Sequence, residues 1–374
     1  MMKYGLLILA FTLASIGDIT AQVYTDKVVG KKNDAVIDSL KNSGYPYTLP
    51  IWGAKATAMG YKLPLSAGLS VNYFSQESDL IIENLLVGFN NGPLYDLDEL
   101  VRFDKAVAGA TAVNLRPDIW LLPFLNVYAI FSRAKTSTSI DAGLWIPDTN
   151  NMRTEIASIS TTANFDATAF GLGMTPTIGV GGGWMALDMN FVWTDVSALN
   201  KPVFTFVFGP RLGKSFQLKK PDQNIAVWVG GFRVKLSSST VGSLPLNDIL
   251  PTDGLQEKVD NGIVIVGERQ MEVDEWWNGL STVEQNNPVN KAKYATASRT
   301  LEKAGNVLNS IDGALNDGSN ATVQYSLEKR VKDMWNFVVG SQFQLNKHLM
   351  LRAEYGFLGS RTQFLGSIQY RFGI

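Results

Sequence analysis

The sequence predicts an all-β fold: a transmembrane antiparallel β-barrel of about 12 strands, in a range of roughly 10–14, with a helical extracellular insert. Three observations predict it. Beyond a short apolar stretch at the N-terminus, the 374 residues contain no uninterrupted apolar run of about 18, so an exported chain has no helical way to sit in a bilayer. Long segments instead alternate apolar and polar residues with period two, as a strand with one greasy and one wet face does. Aromatic residues cluster near the ends of those segments, where the interfacial girdles of a membrane barrel require them.

Met1-Met2-Lys3 is a short positive head, Gly5 to Ile16 an apolar core of leader length, and Ile19-Thr20-Ala21 a small-residue junction. These predict a cleavable signal peptide over 1–21 and a mature chain from Gln22. Asp18 arrives too early for an anchoring helix of about 20 apolar residues. Residues 22–64 read as a periplasmic N-terminal segment, with a helix over Asp26–Leu40 and extended Tyr45-Pro46-Tyr47 and Leu49-Pro50 after it. The barrel is assigned to 65–374, with its first strand over Leu65–Tyr73.

The later strands follow from which residues share a face. Leu187, Met189, Phe191 and Trp193 oppose Asp188, Asn190 and Thr194. Phe204, Phe206, Phe208 and Leu212 oppose Thr205 and Arg211, while Ala226, Trp228, Phe232, Val234 and Leu236 oppose Arg233 and Lys235. Trp335, Phe337, Val339, Phe343 and Leu345 oppose Asn336, Gln342 and Gln344. Leu349, Leu351, Ala353, Tyr355 and Phe357 oppose Arg352 and Glu354, and Thr362, Phe364, Ile368, Tyr370 and Phe372 oppose Arg361, Gln363, Gln369 and Arg371. Each apolar set is assigned to lipid and each polar set to the lumen. The girdle is assigned to Trp145, Trp184, Trp193, Trp228, Trp335, Tyr370 and Phe372. The glycine run Gly179-Val180-Gly181-Gly182-Gly183 is followed by another strand and not by the helix a phosphate loop needs, so it reads as a connection.

The insert over 244–321 differs in kind. From Pro288 to Leu315 the residues Leu301, Ala304, Leu308, Ile311 and Leu315 recur at helical steps, opened by a proline and closed by Asp317-Gly318. A shorter helix is expected over Met271–Leu280, bearing Trp276 and Trp277. With a periplasmic C-terminus, Leu358–Ser360 is an external turn, Asn346-Lys347-His348 and Lys219-Lys220-Pro221-Asp222 are short periplasmic ones, and the insert lies outside the cell. It holds twelve acidic and six basic residues.

Export signal, alternating strands, absence of cysteine and the closing strand Leu365-Gly366-Ser367-Ile368-Gln369-Tyr370-Arg371-Phe372-Gly373-Ile374 together resemble a Gram-negative outer-membrane β-barrel. The Ala-Gln export junction is similar to that of Bacteroidetes-type bacteria. Arg116-Pro117-Asp118-Ile119-Trp120-Leu121-Leu122-Pro123-Phe124-Leu125-Asn126-Val127-Tyr128 and Phe357-Leu358-Gly359-Ser360-Arg361 look similar to an uncharacterised group of such proteins. The resemblance implies outer-membrane lipid and the barrel-assembly machinery as partners, with Phe372 as the aromatic assembly signal, here followed by two further residues.

Composition narrows the chemistry. Lys+Arg 33 against Asp+Glu 34 gives a net charge of −1, without the basic excess of a nucleic-acid partner. Cysteine is absent, which removes disulfides, thiolate nucleophiles and cysteine metal sites. The single histidine, His348, falls in a short turn with no room for a cleft, so no catalytic, metal or cofactor site is assigned and the chain reads as a non-enzyme. The acids Glu272, Asp274 and Glu275 lack the ladder of a calcium loop and read as a solvated surface. Function is left to the lumen, where Arg116, Asp118, Asp188, Arg211, Arg233, Lys235, Arg352, Glu354, Arg361 and Arg371 are expected to face inward, seven positive and three negative. Such charges are either hydrated or paired. Hydrated, they make a channel or solute-uptake barrel with a positively biased lumen. Paired, they leave a non-conducting structural or surface-binding barrel whose acidic insert meets a surface protein or a small solute.

Overall fold

Alternation of side chains becomes thirteen strands: β1 Ala67–Phe89, β2 Tyr95–Asp96, β3 Val101–Leu122, β4 Leu125–Pro147, β5 Arg153–Val180, β6 Gly183–Val196, β7 Val203–Gln217, β8 Asn224–Leu236, β9 Ser239–Pro245, β10 Thr322–Val331, β11 Trp335–Gln344, β12 Leu349–Phe357 and β13 Arg361–Phe372. Among the described residues they are accompanied by the α-helices α1 Gly53–Ala58, α2 Leu246–Ile249, α3 Leu255–Asn278, α4 Thr282–Gln285 and α5 Pro288–Asn316. The computed structural model describes residues 44–147, 153–197, 202–220, 222–236, 239–249 and 254–374, with Asp38 and Asn42. The signal peptide expected over 1–21 lies outside the described residues, as does all but Asp38 of the helix expected over Asp26–Leu40. No helix among the described residues is long and apolar enough to cross a membrane.

Ten strands close on themselves. In the order β1-β3-β4-β5-β6-β7-β8-β11-β12-β13 each pairs antiparallel with the next, and β13 returns to β1 from Ala67↔Phe372 to Ser78↔Arg361. About twelve strands were expected. The difference arises because β1, β3, β4 and β5 are 23, 22, 23 and 28 residues long. Residues that a uniform strand length would divide among extra crossings instead prolong existing strands above the closed barrel. At the lower end, where Ile374 lies, the connections are tight. Gly181 and Gly182, at φ 56° and 81°, form a two-residue hairpin of the kind that needs left-handed backbone at both positions.

Above Ser78, β1 parts from β13 and pairs with β10 instead, from Leu80↔Val331 to Phe89↔Val323, and β9 adds to β10. The upper halves of β3, β4 and β5 continue this wall, giving a collar on one side of the barrel. Polarity inverts along the strands as they pass into it. In the barrel, β1 turns Leu69, Val71 and Tyr73 outward, each 42–52% exposed, while Ser70 and Asn72 are buried inside. In the collar, Leu80, Ile82, Leu85, Val87 and Phe89 face inward, and Glu83 on the opposite face is exposed and ion-paired with Arg330. A strand with an apolar outer face and a polar inner one has become a strand with a polar outer face and a hydrophobic core inside.

That core is completed by the insert. Leu301, Ala304, Val307 and Leu308 of α5 and Val259, Val266 and Val273 of α3 pack with Leu85, Phe89, Leu100 and Ile146 of the wall. The helix expected from Pro288 is α5, with Asn287 accepting a hydrogen bond from the Val289 N–H at 2.8 Å and Pro288 in the first turn. The shorter helix expected over Met271–Leu280 is the end of α3, 24 residues long. Its first half, rich in Val, Ile and Gly, has weak intrinsic helix preference, and packing against α5 overrides it. Gly262 is where the Leu308 side chain meets α3.

The N-terminal segment crosses the lower mouth. Thr48 and Leu49 donate their N–H groups to the Ile374 carbonyl and Ile51 donates to that of Leu121, while Lys62 reaches Asp222 in the β7–β8 turn at 2.9 Å. Those anchors lie on nearly opposite sides of the ring of strands.

Candidate functional site

Eight of the ten residues expected in the lumen are placed on the inner face, and most are held in two clusters. Glu354 of β12 accepts a bidentate pair of hydrogen bonds from Arg211 of β7, both at 2.9 Å, another from the Trp228 indole at 2.9 Å and a fourth from Arg352 at 3.2 Å. Arg211 is also ion-paired with Asp188 of β6. Lower down, Asp118 of β3 accepts from Arg371 at 3.1 Å and from the Asn126 amide at 2.8 Å, with Gln369 on its second oxygen. Arg361 is fully enclosed, donating to Ser78 Oγ and to the Asp333 carbonyl, both at 3.1 Å. Arg116 lies over the Tyr128 ring, 3.4 Å from its centre. A bidentate pair offsets the cost of buried charge, and Arg211–Glu354 ties β7 to β12 across the lumen.

Arg233 and Lys235 do not belong to this set. On β8 the inner face carries Ala226 and Trp228, both buried, and Val227 and Val229 are exposed outside; by alternation Arg233 and Lys235 point outward. Arg233 stands opposite Phe208 and Trp335 of the flanking strands, which are in edge contact with each other on the outer face. The expectation took Trp228 for a lipid-facing girdle residue and so inverted the strand. Trp184 is corrected in the same way: it and Trp228 are 5% and 4% exposed and lie 6.0 Å apart inside the barrel. Gly340 of β11 leaves the space that the Trp228 ring occupies, since any Cβ there would collide with it. Trp193, Trp335, Tyr370 and Phe372 are exposed on the outer face. His348 is exposed in its turn, stacked on Tyr370.

The collar encloses a second feature that the alternation did not reveal. Between its inner face and α5 lies a cavity of about 490 Å³, in the size range of small-molecule sites. Its walls are Leu80, Ile82 and Val87 of β1, Ile140 of β4, Tyr325 and Leu327 of β10, and its roof is Val307, Leu308 and Ile311 of α5. Its floor, towards the barrel, is set with Gln76, Ser78, Thr136, Thr138, Thr161 and Thr194. The one trace of it in the sequence is Val323-Gln324-Tyr325-Ser326-Leu327-Glu328-Lys329-Arg330-Val331, an alternation whose Val323, Tyr325, Leu327 and Val331 phase, broken by Lys329, must face a core because the other phase carries paired charge.

No protein-family profile and no curated protein sequence matches the chain. Solved structures do. The β-domain of a Bordetella autotransporter is 11% identical, with 82% of this chain and 100% of that one covered at a TM-score of 0.29. An outer-membrane channel from Pseudomonas putida is 10% identical, covering 83% and 96% at 0.26. A FadL homologue from Pseudomonas aeruginosa is 9% identical, covering 94% and 99% at 0.25. The class that the strands themselves define is a closed ten-stranded antiparallel β-barrel with an apolar outer band.

Proposed function

We propose that this protein is a bacterial outer-membrane barrel, of the Bacteroidetes-type group its sequence resembles, that binds a small apolar molecule in the collar chamber and does not conduct through its lumen. The observation that carries the reading is the inversion of polarity along β1: a hydrophobic chamber of ligand size stands directly above a lumen crossed by the Arg211–Glu354 ion pair. The outward band of Leu69–Tyr73, Phe170–Met174 and Phe364–Phe372 supports placement in lipid. In this reading the collar and insert are extracellular, Phe372 is the assembly signal, the partners are outer-membrane lipid and the assembly machinery, and the role is binding without catalysis. Of the two roles open to the charged lumen, pairing supports the non-conducting one over the positively biased channel.

The test is direct. Protein in phosphatidylcholine nanodiscs is titrated with the neutral dye N-phenyl-1-naphthylamine, whose fluorescence rises in apolar surroundings. Wild type should give saturable binding that Ala163→Trp, which puts a large ring into the chamber, abolishes. Equal fluorescence from the two proteins, or steady conductance of wild type in a planar bilayer, would overturn the reading.

A further inference from the structure

The chamber lining contains two lysines and neither aspartate nor glutamate. Lys258 of α3 is committed to the wall, donating to the Ser158 carbonyl at 3.1 Å. Lys329 is not. It projects from β10 in the inward phase with Tyr325, Leu327 and Val331, opposite Ile82 of β1. The acids of the same two strands, Glu77, Asp79, Glu83 and Glu328, fall in the opposite, outward phase, where Glu83 pairs with Arg330 and Asp79 with Lys332. Among the described residues no carboxylate reaches the Lys329 ammonium, and burial pushes its pKa down. A charge in apolar surroundings is costly unless paired, and a site that keeps one has a use for it. The position is informative as well. Lys329 lies in the lower part of β10, where β10 pairs with β1 close above Ser78, and so near the polar floor and away from the apolar roof.

Building on the chamber reading above, we infer that the ligand is a single-chain amphiphile with one anionic headgroup, bound with its head at Lys329 and its apolar chain under α5. The chamber supplies one cation without a carbonyl partner at Lys329, a second at its exposed edge in Lys258, a hydroxyl-lined floor and an aliphatic roof, which is the complement of an aliphatic carboxylate and the opposite of what a cationic or zwitterionic amphiphile needs.

Displacement of the bound dye tests it, using dodecanoate, dodecyltrimethylammonium and dodecanol in phosphatidylcholine nanodiscs. Wild type should release the dye to dodecanoate at concentrations at least about tenfold lower than to dodecyltrimethylammonium, the scale of one charge-assisted hydrogen bond. Lys329→Met should bind the dye as wild type does and lose that preference; Lys329→Arg should restore it. The preference should also fade as pH rises and Lys329 loses its proton. Dye binding with equal displacement by all three amphiphiles, or a preference that survives in Lys329→Met, overturns the headgroup assignment and leaves the chamber standing. Failure of wild type to bind the dye at all overturns both.

Discussion

Glu354 concentrates the chemistry of the lumen. Its carboxylate meets two guanidinium groups and an indole N–H, so removing the negative charge takes an anion from Arg211 and Arg352 together and leaves Asp188 as the carboxylate on Arg211. Breaking one partner of such a buried cluster costs about 3–5 kcal/mol. Glu354→Gln should therefore lower the denaturant midpoint of the refolded barrel clearly, whereas Arg233→Glu, on the outer face, should move stability by less than about 0.5 kcal/mol. Equal effects would show that β8 has its faces the other way round. The same residue illustrates why a charge on a strand cannot be assigned from its own segment alone. Arg211 and Arg233 sit in similar alternating runs, and only the partner across the lumen distinguishes them.

At the scale of elements, α5 and β10 form a unit distinct from the barrel wall. Leu301 is 1% exposed at the centre of the packing between α5, α3 and the collar. Leu301→Ala should cost about 2–5 kcal/mol at that site. Because the collar joins the closed ring through the continuation of β1, β3, β4 and β5 and through the chain connections from β8 to β9 and from β10 to β11, and none of these carries the Leu301 packing, the loss should stay local. Hydrogen exchange should quicken in 80–89 and 323–331 while β11, β12 and β13 keep their protection. Uniform quickening across all strands would mean that collar and barrel unfold as one. The long helix α5 was legible from its stripe and its proline start. α3 was half legible, because its Val- and Ile-rich opening favours a strand until α5 provides a groove for it.

For the molecule as a whole, the even number of ring strands places both ends of the barrel on one side and the insert on the other. In the proposed orientation, with the termini in the periplasm, the connection between α3 and α5, whose Val283 is 83% exposed, is expected outside the cell. Proteinase K added to intact cells should cut there and spare the barrel. Cleavage only after permeabilising the outer membrane would reverse the orientation and put the chamber on the periplasmic side.

The sequence by itself determined that the chain is a barrel and which residues face out on most of its strands. A period of two, an apolar phase and a polar phase are local properties that each strand carries in its own residues, as β13 and β12 do. Three matters were decided by tertiary structure. The number of strands depended on where β1 exchanges β13 for β10, a choice of partner that no single strand encodes. The inner and outer faces of β8 depended on a carboxylate from β12 that draws Trp228 inward. The chamber depended on the inversion of polarity along the long strands, because alternation reports which residues share a face but is silent on whether that face meets lipid, water or a helix laid across it.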